Sequence, residues 1–151
     1  HIPVNRGFNT SFGYLSGGED HFSQYQKNGV FGCDGTDLWR SNKPAYNENG
    51  TYGAYLYGAE AEKIINEHNL AKPLFMYIAT QTMHAPQQVP EEYSNYYLSK
   101  NFSNDYAIMN GMGMINDEIL GNVSKALKLR GMWQNTLLIH LSDNGGPAGR
   151  E

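Results

Sequence analysis

The chain has 151 residues, 40% hydrophobic and 17% charged, with a formal net charge of −4 and a pI near 5.7. That is enough length for one domain with a real core and an ordinary composition for a globular protein. The absence of a basic stripe argues against nucleic acid as a partner, and no apolar run approaches membrane-spanning length.

The chain starts at His1, without a Met or a signal-peptide pattern, and is therefore expected to be a piece of a longer protein. Residues His1 to Tyr52 sustain neither helical nor strand periodicity and hold many glycines with aromatics scattered between them. Such a stretch is a functional surface loop or a piece whose packing partners lie elsewhere. Cys33 is the only cysteine, so an internal disulfide is excluded, and the thiol is either inert or a partner for a segment outside the chain.

From Ala54 the pattern turns helical: Ala54, Tyr57, Ala61, Ile64 and Ile65 share one face, with Glu60, Lys63 and Glu67 placed for local pairing. Lys72-Pro73 closes that helix. Leu74 to Ala79 is a short apolar run predicted as a buried strand, and it leads into a polar loop carrying His84. Pro90-Glu91-Glu92-Tyr93 has the form of a helix start. A long helix is predicted from Asn104 to Arg130, capped by Ser103, striped by Ile108, Met112, Ile115, Ile119, Val123 and Ala126, and stopped at Gly131. Asp117-Glu118 lies on it as a pair that caps, pairs locally or faces solvent.

The last stretch, Thr136 to Leu141, has the continuous apolar character of a strand covered on both faces and ends in Asp143-Asn144-Gly145-Gly146. Asp143 and Asn144 are hard oxygen donors of the kind calcium and magnesium take, and the same residues also suit a surface turn. Strand, helix, strand implies a parallel pair with a right-handed crossover, and ligands in such sheets sit beyond the carboxyl ends of the strands. His84 and Asp143-Asn144 are thereby placed in one cleft. His140, inside the apolar run, is expected in the core, while His1, His21 and His68 have no partner pattern and are expected in solvent. Asn9, Asn49, Asn101 and Asn122 each open an Asn-x-Ser/Thr acceptor, which together point to the secretory pathway.

In order along the chain, Arg6-Gly7-Phe8-Asn9-Thr10-Ser11-Phe12-Gly13-Tyr14, Lys72-Pro73-Leu74-Phe75-Met76-Tyr77 before His84-Ala85-Pro86, Gln88-Val89-Pro90-Glu91-Glu92-Tyr93, Gly121-Asn122-Val123 and Ser142-Asp143-Asn144-Gly145-Gly146 resemble the sulfatases, and within them the arylsulfatase B group. The resemblance implies an α/β fold, an alkaline-phosphatase-like sandwich with a mostly parallel sheet, only part of which is in this chain. It implies one partial catalytic domain over 1–151, loop-rich over 1–52 and helix-strand-helix-strand over 53–151. By the same resemblance His84 binds the sulfate, and Asp143 and Asn144 are two ligands of an active-site calcium, magnesium being possible. The family's nucleophile, a formylglycine made from a Cys-x-Pro-Ser-Arg motif, has no counterpart here, since Cys33 precedes Asp34-Gly35-Thr36. The implied substrate is a sulfated carbohydrate, a glycosaminoglycan or an aryl sulfate, and the implied location is lysosomal or extracellular. A phosphodiesterase or phosphonate hydrolase of the same superfamily and a secreted glycan-binding pseudoenzyme remain open, and the nucleophile motif upstream separates the three. The 151 residues alone are expected to be inactive.

Overall fold

The computed structural model describes residues 2–27 and 32–145. Its helices are α1 (Gly53–Glu67), α2 (Glu91–Leu98) and α3 (Asn104–Leu129), of which α1 and α3 carry the core. Ahead of them lie short antiparallel strands, each of two residues: β1 (Phe12–Gly13), β2 (Tyr25–Gln26), β3 (Gly35–Thr36), β4 (Trp39–Arg40) and β5 (Lys43–Pro44). They pair in the order β1-β4-β5, with Phe12 opposite Arg40 and Trp39 opposite Pro44, and as a β2-β3 ladder with Tyr25 opposite Thr36.

The helices follow the hydrophobic spacing. On α1, Ala54, Tyr57, Ala61 and Ile65 are buried; on α3, Met112, Ile115, Ile119, Val123 and Ala126 are buried. Ala54, Ala61 and Ile65 meet Ile115, Ile119, Val123 and Ala126 in one apolar cluster with Tyr52 and Leu127, while Tyr57 packs with Leu38 and Ala45 in a second. Close approach needs small residues: a Cβ on Gly58 would stand 3.2 Å from Ile119 Cγ1, and one on Gly111 would stand 3.1 Å from Tyr93 Cβ of α2. The second contact is how α2, which has no buried residue of its own, leans on α3.

Helix ends obey backbone hydrogen bonding. Ser103 occupies the N-cap of α3 and its carbonyl accepts from Ala107 N–H (2.9 Å), but its hydroxyl makes no capping bond. At the other end Gly131 turns left-handed (φ 69°), Gly131 N–H donates to Lys128 O and Met132 N–H to Leu127 O. That pair of bonds is a Schellman closure, which swings Met132 and Trp133 back onto the core. The local pairing expected of Glu60 is replaced by a longer tie: Arg40 on β4 meets Glu60 (2.9 Å) and Glu48 (2.6 Å), with its guanidinium 4.0 Å above the Phe12 ring. The strands are thereby fastened to α1.

The predicted strands need correction. Leu74, Met76 and Ile78 pack against the helical cluster, while Phe75 (79% exposed) and Tyr77 (73%) point away from it. The alternation has the period of a strand, but only one face is covered, and no ladder includes this segment among the described residues. Leu137, Ile139 and Leu141 are more than two-thirds exposed, so the run from Thr136 is not a buried strand either, and His140 is exposed rather than in the core. An apolar run records the tendency to be covered; burial also requires neighbouring strands, and none pairs with these two segments among the described residues.

Ile115 is fully buried at the α1–α3 seam. Ile115→Ala is expected to lower unfolding stability by about 2–5 kcal/mol, measured by urea denaturation, whereas the same change at half-buried Ile108 is expected to cost less.

Candidate active site around the His84 loop

His84 sits on an exposed loop whose two ends are glutamines, Gln81 and Gln88. The loop hangs from a turn in which His84 N–H donates to Gln81 O (3.0 Å). The His84 ring is oriented by its own backbone: Nδ1 lies 2.7 Å from Ala85 O. A carbonyl only accepts, so Nδ1 carries the proton and Nε2 is the open nitrogen. Thr80 Oγ1 donates to Asn116 Oδ1 on α3 (3.1 Å), and Gly18 lies so near that a Cβ there would be 3.9 Å from His84 Cε1.

Under the loop lies a buried polar layer that periodicity does not signal. Glu19 is 2% exposed and Gln81 3%. Gln81 Nε2 donates to Glu19 Oε1 (2.8 Å), and the Tyr57 hydroxyl of α1 donates to the same oxygen (3.0 Å). Gln88 Nε2 donates to Asp20 Oδ2 (2.6 Å), Gln88 Oε1 accepts from His21 N–H (2.8 Å), and Tyr52 donates its hydroxyl to Gln88 O (2.8 Å). Gln24, also fully buried, donates to His21 O and Thr51 O and accepts from Gly50 N–H. His21, expected in solvent, is 2% exposed, because the Asp20–Gln24 turn folds it inward against Tyr52.

Burial governs the charges of this layer. It pushes the Glu19 carboxyl up to about 7; hydrogen bonds from Tyr57 and Gln81 pull the other way, and the nearby charges of Asp37 and Asp20 add to the rise. Burial also lowers the His21 imidazole below its ordinary range, with Asp20 opposing. At Asp20 burial acts upward but is outweighed by hydrogen bonds from Gln88, Ser23 and Phe22, which hold the carboxyl at about 2. Glu19 Oε2, Gln81 Oε1 and His21 Nδ1 are buried without a hydrogen-bond partner. Alternation and spacing mark apolar residues, so Glu19, His21, Gln24, Gln81 and Gln88 stand out only as polar residues inside glycine-rich or loop sequence.

Asp143 and Asn144 are exposed at the end of the 136–141 segment. Asn144 Nδ2 donates to Gly145 O (2.9 Å). Gly146 lies outside the described residues. No hydrogen bond or ion pair joins His84 to Asp143 or Asn144, and no three His, Cys, Asp or Glu side chains gather into a metal cage, among the described residues. Asn9, Asn49, Asn101 and Asn122 are all exposed, as is Cys33. On α3, Asp117 is exposed and Glu118 accepts the Tyr93 hydroxyl (2.7 Å), a structural tie to α2.

Comparison with known proteins places this geometry. The family model described as Sulfatase matches residues 3–150. Arylsulfatase J of Mus musculus is 37% identical over 148 residues, covering 96% of this chain and 24% of its own length. Arylsulfatase of Klebsiella aerogenes is 22% identical, covering 95% of this chain and 41% of its own. The crystal structure of Ps i-CgsB in complex with k-i-k-neocarrahexaose superposes with a TM-score of 0.76 at 26% identity, over 89% of this chain and 32% of that one. The chain thus spans well under half the length of the proteins it matches.

The Glu19 shift has a defined sign. The folded carboxyl keeps its proton up to about 7, whereas the unfolded one releases it near its ordinary 4.5. Its contribution is fully present below the lower value and is lost as pH rises through the upper one. His21, depressed by burial, gives a slope of the opposite sign, so the difference between variants is the readout. Thermal midpoints recorded between about pH 4 and pH 8 are expected to show Glu19→Gln gaining on the wild type as pH rises; parallel curves would show that Glu19 does not titrate in this window.

Proposed function

Because the chain belongs to the sulfatase family, with the family model spanning residues 3–150, we propose that the protein carrying it hydrolyses sulfate esters, with sulfated sugars or glycosaminoglycans as substrates. The single observation that carries this is the family match across nearly the whole chain, and the roles of His84, Asp143 and Asn144 are part of the proposal. The carbohydrate preference draws on the solved relative held in complex with k-i-k-neocarrahexaose.

Sulfate ester cleavage needs a nucleophile, donors for the anionic oxygens and help for the leaving alkoxide. His84 presents Nε2 from a fixed ring; with Nδ1–H held by Ala85 O, it is the sulfate-binding donor in this proposal in its imidazolium form, which carries a second N–H on Nε2. Asp143 and Asn144 offer a carboxylate and an amide oxygen at the surface, a donor set that fits calcium and, by the same hard-oxygen chemistry, magnesium. Such a cation, when bound, supplies Lewis-acid stabilisation of charge on sulfate oxygens. The nucleophile is assigned to a formylglycine in sequence with no counterpart among these residues. The location proposed is the secretory pathway, lysosomal or extracellular. All four acceptor asparagines are exposed, and among the described residues no helix is long and apolar enough to cross a membrane.

The test is turnover of 4-nitrophenyl sulfate by the protein at its natural length. Asp143→Ala is expected to abolish turnover and weaken calcium binding by calorimetry. His84→Ala is expected to slow turnover by about 10²–10³-fold, the cost of one transition-state donor, with calcium affinity kept. The 151 residues alone are expected to show nothing above the Asp143→Ala control. Full activity in Asp143→Ala would overturn the metal assignment.

Asn122 is proposed as the main glycan carrier. It is exposed on α3, about 100° round from Val123 of the buried stripe. Glycopeptide mass spectrometry after expression in a eukaryotic secretory host is expected to find it modified; a bare Asn122 peptide beside an occupied Asn9 peptide would reverse the ranking.

A further inference from the structure

We propose that Glu19, Asp20, Gln81 and Gln88 form a two-point clamp whose task is to position His84 for the sulfate group, a role that rests on the sulfatase function proposed above.

The geometry is that of a loop pinned at both ends. Gln81 and Gln88 flank His84, and each gives its side-chain amide to one of two consecutive acids, Glu19 (2.8 Å) and Asp20 (2.6 Å). The partners lie 62 and 68 residues apart in sequence. Two adjacent residues on one rigid turn therefore set the distance between the ends of the loop. The turn is itself held: Asp20 Oδ1 accepts from Phe22 N–H, Ser23 N–H and the Ser23 hydroxyl, and Gln24 N–H donates to Asp20 O. Tyr57 ties the Glu19 end to α1, and Tyr52, just ahead of α1, ties the Gln88 end. His84 lies between the pinned ends with Nδ1 bound to Ala85 O, so its open Nε2 has little freedom.

The clamp costs stability. It keeps a carboxylate oxygen, an amide oxygen and an imidazole nitrogen buried without partners, and each such group carries a desolvation penalty. Apolar residues would hold a merely structural loop against the helices more cheaply. Rules of local consistency are broken at sites where function requires it. Misplacing a catalytic donor by about 1 Å can cost 10²-fold in rate, which is the gain a fixed His84 returns. All four clamp side chains are positioning residues, acting through His84.

The experiment is a double-mutant comparison in the protein at its natural length, with 4-nitrophenyl sulfate as the probe. Gln88→Ala removes the Asp20 contact and the acceptor for His21 N–H. Asp20→Asn is milder: its Oδ1 still serves the turn, while its amide nitrogen faces the amide nitrogen of Gln88. Each is expected to lower kcat by at least about 10-fold with little change in KM. In a His84→Ala background each is expected to change kcat less than about 2-fold, since residues acting through one group are not additive. Glu19→Gln is expected to recover most of what Glu19→Ala loses, because the amide oxygen still accepts from Gln81 and Tyr57. Equal losses in both backgrounds, or no loss in either, overturn the clamp. A second readout needs no turnover: long-range proton–nitrogen spectra of the histidine rings are expected to show the His84 signals moving toward a solvent-averaged imidazole in Asp20→Asn while those of His68 stay put, and an unmoved His84 overturns the clamp. A wild type without sulfatase turnover sinks the proposed function alone, and the spectra still decide the clamp.

Discussion

Taking the Glu19 carboxyl out of water is the constraint on which the arrangement of this chain depends. A buried acid must be neutral, paired or hydrogen-bonded, and the chain answers from two directions. Tyr57 reaches it from the first helix and Gln81 from the loop of the candidate site, both on the same oxygen. A Cβ on Gly53, at the start of α1, would overlap the Gln81 amide oxygen and would displace the amide that reaches Glu19. A residue from the glycine-rich first third thereby fixes the relation between a helix and a loop that share no ladder with it.

The helices were legible in the sequence and the polar layer was not. The helical spacing located α3 and the start of α1 within a residue, but α1 ends at Glu67 rather than at Lys72-Pro73, and Gly131 was a correct stop because a left-handed turn there suits it. His21 and His140 exchanged places relative to expectation. His140 was judged by its apolar neighbours, but nothing among the described residues covers that segment, and His21 was judged by its glycine-rich surroundings, but the Asp20–Gln24 turn buries it. Periodicity reports which side chains avoid water; it says nothing about a polar side chain whose partner lies 62 residues away. Family membership was legible from the order of short motifs along the chain, because a motif is read from order rather than from packing.

Membership of the sulfatase family and the superposition at a TM-score of 0.76 account for the mixed architecture. The part of the fold in hand is the helical layer with the loop-rich region beside it. The 74–79 stretch lies on this layer with Leu74, Met76 and Ile78 against it and Phe75 and Tyr77 bare, whereas residues 137–141 are exposed on both faces. The candidate site is likewise assembled from loops around a rigid helical base, the usual division of labour between scaffold and function.

The bare face also has a colloidal consequence. From Thr136 to Leu141 the chain carries no proline and no Asp, Glu, Lys or Arg, and Leu137, Ile139 and Leu141 stand open to solvent. A window of that composition, left without a ladder, is a template on which another extended segment can add. Lys72-Pro73 guards the entrance to the other such stretch, whereas the second has only His140 within it. Solubility of these residues therefore depends on whatever strand lies beside them, and the stretch that precedes Asp143 and Asn144 is also an adhesive surface.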